Sequence, residues 1–136
     1  MAEHQGYIDE WARDTLSEKT RFFDSQGGGW IVDLKSHSGN YSLSVASGCS
    51  FEIWYGCDAG EKTVSVWCWK PSGASAALEV IDPDSGETMA RCEASQSEVW
   101  EKLEVSFIAE KKVYLVKLRN MSRWWSVGRV YFDDLE

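Results

Sequence analysis

The segment Val64-Ser-Val-Trp-Cys-Trp69 is typical of a β-strand, because its small apolar and large aromatic side chains alternate with a period of two. On a β-strand the two valines and the cysteine share one face, whereas Trp67 and Trp69 share the other, about 6.6 Å apart along the chain. We expect the first face to lie in the core and the two indoles to form an outward platform. The alternative is that a loop or an N-terminal helix covers the indoles.

The same alternation continues along the chain between turn-forming clusters such as Gln26-Gly-Gly-Gly29, Asp58-Ala-Gly-Glu61 and Asp82-Pro-Asp-Ser-Gly86. Short alternating segments at this spacing are typical of an all-β sandwich of antiparallel sheets. We predict nine or ten strands, near residues 21–24, 30–34, 41–46, 51–55, 62–70, 76–81, 88–93, 101–109, 113–119 and 127–135.

The first twenty residues have a different pattern. Ile8, Trp11, Ala12 and Leu16 follow three- and four-residue steps, which predicts a short helix over residues 7–18. We therefore divide the chain into an N-terminal extension, residues 1–20, and one β-sandwich domain, residues 21–136.

Composition excludes several partners. A chain of 136 residues, 43% of them hydrophobic and 26% charged, fits one globular domain. A net charge of -8 repels phosphate backbones and anionic membranes, so neither nucleic acid nor a membrane is expected as a partner. The eight Trp, five Tyr and five Phe exceed what the inside of one such domain hides, so some of these rings face solvent or a ligand.

The four cysteines are Cys49, Cys57, Cys68 and Cys92, and they lack the C-x-x-C spacing of a zinc or redox site. A strand over 51–55 would hold Cys49 about 26 Å from Cys57, too far for a bridge. Two patterns remain, Cys49–Cys68 with Cys57–Cys92 or Cys49–Cys92 with Cys57–Cys68. Reduced, buried thiols are the alternative to both.

Several segments occur in the order found in a known family: Phe22-Phe-Asp24, Gly29-Trp30, Ser38-Gly-Asn-Tyr-Ser-Leu-Ser-Val45, Ala59–Trp67, Val99–Phe107 and the closing Val130-Tyr-Phe-Asp-Asp-Leu135. Over residues 21–136 this order resembles the galactose-binding-like jelly rolls that serve as carbohydrate-binding modules, in particular those associated with xylanases and glucanases. The resemblance implies a jelly-roll β-sandwich. The N-terminal helix, the four cysteines and the adjacent Trp124-Trp125 depart from the family pattern.

The resemblance also implies a metal ion, a binding partner and a location. Family members hold a structural calcium between the first strand and the terminal Asp-Asp, which here implies Asp24 and Asp133 as ligands. A polysaccharide or oligosaccharide is the implied partner. The implied location is extracellular or at the cell surface, as part of a larger protein with other domains.

The candidate ligand-binding residues are aromatic and polar. Trp67 and Trp69 form the predicted platform, with Arg119 and Glu52 as hydroxyl-binding neighbours on an outward sheet face. Trp124 and Trp125 lie in the predicted loop before the last strand, where sandwiches commonly carry binding residues.

No catalytic motif is present, and the two histidines, His4 and His37, offer little for acid–base chemistry. We therefore predict non-catalytic carbohydrate binding. The alternative is a structural or protein-interaction module that uses the same tryptophans as an interface.

Overall fold

The computed structural model describes residues 20–23, 29–32, 37, 42–123 and 128–135 of the chain. These residues form ten β-strands: β1 (Thr20–Phe23), β2 (Gly29–Val32), β3 (Ser42–Val45), β4 (Ser50–Cys57), β5 (Gly60–Trp69), β6 (Ala76–Ile81), β7 (Thr88–Glu93), β8 (Trp100–Ala109), β9 (Lys112–Asn120) and β10 (Val130–Asp133). The predicted all-β class is therefore confirmed for the described residues. The helix predicted over 7–18 lies outside them.

The strands form two five-stranded sheets. Sheet I has the order β1-β4-β9-β6-β7, and sheet II has the order β2-β3-β10-β5-β8. Every pairing is antiparallel. Because β4 and β5 follow each other in sequence but belong to opposite sheets, the chain crosses the sandwich between Cys57 and Gly60, as in a jelly roll.

The core is the layer between the two sheets. In β5 it receives Val64, Val66 and Cys68, all at most 3% exposed, which confirms the inward face predicted from the alternation. Across the layer, the rings of Phe107 and Tyr114 meet edge to face with centroids 5.1 Å apart. This contact joins β8 of sheet II to β9 of sheet I.

The described part of the chain contains no helix of the length and apolarity that a membrane crossing requires.

All four cysteines are free thiols. The structure therefore agrees with the reduced alternative and with neither of the two predicted bridge patterns. The pairing Cys49–Cys68 required β4 and β5 to be neighbours in one sheet, whereas they lie in opposite sheets. Cys68 is 1% exposed, and burial raises the pKa of its thiol to about 12, so this thiol is held neutral in the core.

Alkylation of the denatured protein without a reductant tests this state. We expect mass spectrometry to show four modified cysteines, because the structure contains no disulfide among Cys49, Cys57, Cys68 and Cys92. A sample reduced before alkylation is the control and should give the same mass. Only two or no modified cysteines before reduction would contradict the free-thiol structure.

Candidate functional site

The outer face of sheet II carries a cluster of aromatic side chains. In backbone register, Tyr131 of β10 pairs with Trp69 of β5, and Trp69 pairs with Trp100 of β8. The rings of Trp69 and Tyr131 meet edge to face, with centroids 5.9 Å apart. Trp67 lies on the same face, two residues along β5. We call Trp67, Trp69, Trp100 and Tyr131 the aromatic face; all four are half-buried.

His37 lies against this face. Its imidazole stacks on Trp67 with ring centroids 4.0 Å apart and planes 13° from parallel. It also meets Trp100 edge to face at 5.7 Å. One side of the Trp67 ring is therefore covered by a side chain of the same chain, in line with the covered alternative for this residue. Trp69 is the other residue of the predicted platform, and Trp100 of β8 is its cross-strand partner.

Several small polar residues on the outer face of sheet II are buried, which shows that other parts of the chain cover this face near them. Ser42, Ser44, Ser65 and Asp133 alternate with core residues of sheet II, yet each is at most 5% exposed. Ser44 accepts hydrogen bonds from the guanidinium of Arg129 at its hydroxyl and at its carbonyl oxygen. The outer face of sheet II is thus covered along β3, at Asp133 near the end of β10 and at Ser65 of β5.

The outer face of sheet I has a different chemistry, dominated by ion pairs. Glu79 of β6 is 4% exposed although it alternates with core residues. Arg91 Nε donates to its Oε2 at 2.8 Å, and a terminal nitrogen of Arg119 donates to Oε1 and Oε2 at 3.3 and 3.2 Å. Two guanidinium groups therefore neutralise this carboxylate and satisfy its oxygens.

The ion pairs continue on β4 and β9. Lys117 Nζ lies 3.5 Å from Oε1 of Glu52, to which it is the cross-strand partner. The neighbouring cross-strand pair is Trp54 with Leu115, both half-buried. We call Glu52, Trp54, Glu79, Arg91, Lys117 and Arg119 the polar face.

The structure does not bring the predicted ligand-binding residues together. Trp67 and Trp69 lie on the outer face of sheet II, whereas Glu52 and Arg119 lie on the outer face of sheet I, so the core separates the two pairs. The expectation that they form one surface is wrong, because β4 and β5 belong to different sheets. Trp124 and Trp125 lie outside the described residues.

Other residues on the aromatic face were missing from the sequence prediction. Tyr131 and Trp100 join it through strand pairing with β5, and His37 joins it through a loop contact. Alternation on β8 and β10 was the available signal for the first two. Nothing in the sequence indicated the position of His37, which is 30 residues from Trp67.

The described residues do not assemble a calcium site. Asp24 lies outside them, and among them no group of three or more His, Cys, Asp or Glu side chains is placed to hold a metal. Asp133 is fully buried; its Oδ2 accepts the backbone N–H of His37 at 2.8 Å, and its Oδ1 accepts that of Asp134 at 2.9 Å. Hydrogen bonds thus already engage both oxygens of the implied ligand. Calcium between Asp24 and Asp133 stays a prediction.

No family model matches the sequence, and no curated protein matches it. Solved structures do share the fold. A family 61 carbohydrate-binding module in complex with β-1,4-galactotriose has a TM-score of 0.64 at 18% identity, over 92% of this chain and 90% of that one. The CBM22-1 xylan-binding domain of Paenibacillus barcinonensis Xyn10C has a TM-score of 0.60 at 13% identity, over 85% and 83%.

A third similar structure is named as an adhesin domain and not as a carbohydrate-binding module. The K3 cleaved adhesin domain of Lys-gingipain from Porphyromonas gingivalis has a TM-score of 0.62 at 12% identity, over 91% of this chain and 94% of that one. The fold of this chain is therefore the jelly roll of carbohydrate-binding modules, and an adhesin domain shares it. The resemblance stated from the sequence is confirmed at the level of the fold.

A chelator tests the implied calcium. If Asp24 and Asp133 share an ion, removing it should lower the Tm, because a ligand that binds the folded state stabilises it by mass action. The difference between the Tm values with and without chelator should vanish in Asp133→Ala. Identical melting curves of the wild-type protein with and without chelator would remove the site.

Proposed function

We propose that this chain binds carbohydrate without catalysing a reaction, and that the aromatic face of sheet II is its stacking surface. The observation that carries the proposal is the alternation of β5, which turns Val64, Val66 and Cys68 inward and leaves Trp67 and Trp69 outward. The fold supports it, because two of the similar structures are named as carbohydrate-binding domains.

The proposed surface combines apolar rings with polar neighbours. Trp69, Trp100 and Tyr131 come from three adjacent strands, so their spacing is set by the sheet and does not depend on a loop. Lys102 and Glu104 of β8 lie on the same side and approach each other to 3.8 Å. An apolar ring surface bordered by donors and acceptors suits a sugar, which has apolar C–H faces and a rim of hydroxyl groups.

Among the described residues, the polar face is a second location where a sugar would find suitable groups. Arg119 and Glu52, two of the predicted ligand residues, lie there beside Trp54. Their charges are paired with Glu79 and Lys117, so a sugar hydroxyl would have to compete with existing ion pairs. We therefore place the stacking surface on the aromatic face and use the polar face as the comparison.

Affinity electrophoresis in gels containing β-1,4-galactan or xylan, followed by a wider polysaccharide panel, tests the proposal. We expect Trp69→Ala and Trp100→Ala to weaken retardation at least about tenfold, which is ~1.4 kcal/mol. Trp54→Ala is the matched control, because it removes an indole of similar burial from the opposite sheet. It should bind like the wild-type protein.

Stability measurements separate loss of binding from loss of folding. Trp69→Ala removes the edge-to-face contact with Tyr131 and part of the buried surface of a half-buried indole, and should destabilise the domain by ~1–2.5 kcal/mol. Phe132→Ala, at a position that is fully buried, should cost ~3–5 kcal/mol. A Trp69→Ala loss as large as that of Phe132→Ala would show that Trp69 belongs to the core and would contradict the platform.

Two other results would contradict the proposal. If Trp54→Ala and Arg119→Ala lose binding while Trp69→Ala keeps it, the sugar binds at the polar face and the aromatic platform is wrong. If no polysaccharide retards the wild-type protein, the proposed function is wrong.

Protein interaction is a second candidate function, because two large apolar side chains are exposed at the two ends of the edge strand β8. Val99 precedes β8 and is 44% exposed, and Ile108 lies near the end of β8 and is 69% exposed. β8 is an edge strand of sheet II, and exposed apolar groups at a sheet edge favour association with another protein. A Ile108→Lys variant that abolishes self-association of the wild-type protein, seen by sedimentation, would support this candidate.

We also propose an extracellular or cell-surface location within a larger protein, with no enzymatic activity of this domain. The support is the resemblance to carbohydrate-binding modules. The four free thiols are the observation against export, since stable disulfides accompany oxidising compartments.

A further inference from the structure

His37 is held on the aromatic face by contacts of three kinds. Its imidazole stacks on Trp67 at 4.0 Å, its backbone N–H donates to Oδ2 of Asp133 at 2.8 Å, and its Nδ1 lies 2.6 Å from Oδ2 of Asp134. The two carboxylates follow each other at the end of β10. Backbone, side-chain nitrogen and ring face are therefore each positioned by a different partner.

The position of Asp134 is itself well determined. Asp134 has a φ of +51°, in the left-handed region that few residues other than glycine adopt, although Asp tolerates it. Its N–H donates to Oδ1 of Asp133 at 2.9 Å, and Asp133 is fully buried. The buried Asp133 thus holds both the backbone of His37 and the residue that binds the His37 ring.

These contacts determine the chemistry of the imidazole. A carboxylate next to Nδ1 accepts its proton, so the neutral ring carries hydrogen on Nδ1 and a lone pair on Nε2. Nε2 has no hydrogen-bond partner among the described residues, and the side chain is 30% exposed. The lone pair lies in the plane of the imidazole, which is 13° from parallel to the Trp67 ring, so it is directed past the Trp67 ring and not into it.

We propose that Nε2 of His37 accepts a hydrogen bond from a sugar hydroxyl on the aromatic face, and that Trp67, Asp133 and Asp134 are its positioning residues. This inference rests on the proposed function. In this arrangement Trp67 does not stack on the sugar, because His37 covers its ring; Trp67 positions His37 instead. Trp69 and Trp100 provide the stacking surface. The edge-to-face contact of His37 with Trp100, at 5.7 Å, places the imidazole next to that surface.

The proposal specifies the ligand. An acceptor nitrogen at this place requires a free hydroxyl on the bound sugar, so the site takes a neutral oligosaccharide with an underivatised hydroxyl group next to the stacked ring. Methylation of that hydroxyl removes the only hydrogen that it can donate. A ligand in which every hydroxyl is methylated should therefore lose this interaction even though its apolar faces remain.

Two variants of His37 separate hydrogen bonding from ring packing. His37→Phe keeps a flat ring to stack on Trp67 and removes both nitrogens, whereas His37→Ala removes the ring as well. By affinity electrophoresis or titration calorimetry with an oligosaccharide retained by the wild-type protein, we expect both to lose affinity by roughly three- to tenfold, the range for one hydrogen bond. Equal Tm values of His37→Phe and wild type would show that the fold is intact.

A readout without sugar tests the positioning residues. In a two-bond ¹H–¹⁵N spectrum of the wild-type protein near pH 8, the His37 ring should show the tautomer protonated on Nδ1, with His37→Phe identifying its signals. Asp134→Ala removes the acceptor and should shift the ring toward the tautomer protonated on Nε2. An unchanged tautomer in Asp134→Ala would overturn the positioning part of the proposal.

The outcomes distinguish this proposal from the proposed function. If the wild-type protein binds sugar and His37→Phe binds equally well, only the ring of His37 matters and the acceptor assignment is wrong. If His37→Ala binds more tightly than wild type, His37 is a cover that sugar displaces, and the assignment is again wrong. If the wild-type protein binds no glycan at all, the proposed function fails, and the acceptor assignment fails with it.

Discussion

The whole structure depends on one apolar layer shared by two five-stranded sheets. Because side chains alternate along a strand, every strand that contributes to this layer also presents a second, outward face. The contact between Phe107 and Tyr114 crosses the layer and joins the two sheets. One face of each sheet is buried in this layer. A ligand that binds to the flat surface of a sheet must therefore bind to one of the two outer faces.

The two outer faces differ in chemistry. On sheet I, the carboxylate of Glu79 is surrounded by Arg91 and Arg119, so most of the polar capacity is used within the chain. On sheet II, the rings of Trp69 and Tyr131 lie side by side, and His37 brings one nitrogen that has no partner among the described residues. A sugar requires both an apolar surface and a hydrogen-bond partner, and the second face offers them in adjacent positions.

Local pattern was sufficient to predict the strands and their inward sides. The alternation in Val64–Trp69 predicted the buried positions of β5 correctly, and the ten described strands follow the predicted segments. Sheet membership was not predictable in the same way, because it depends on pairings between distant segments, such as Ser50 with Arg119. This is the physical reason why Glu52 and Arg119 were expected beside the tryptophans and lie on the opposite side. His37 and Asp134 are 97 residues apart in sequence, so no local sequence pattern could predict their contact.

Mapping by NMR shows whether sugar binds on the outer face of sheet II. An oligosaccharide retained in the affinity gels is titrated into ¹⁵N-labelled protein, and both the backbone amides and the tryptophan indole N–H signals are followed. We expect the largest shifts at Trp69, at Trp100 and at the adjacent amides of β5, β8 and β10. Shifts confined to Trp54 and to the amides of β4, β6 and β9 would place the sugar on sheet I and contradict this expectation.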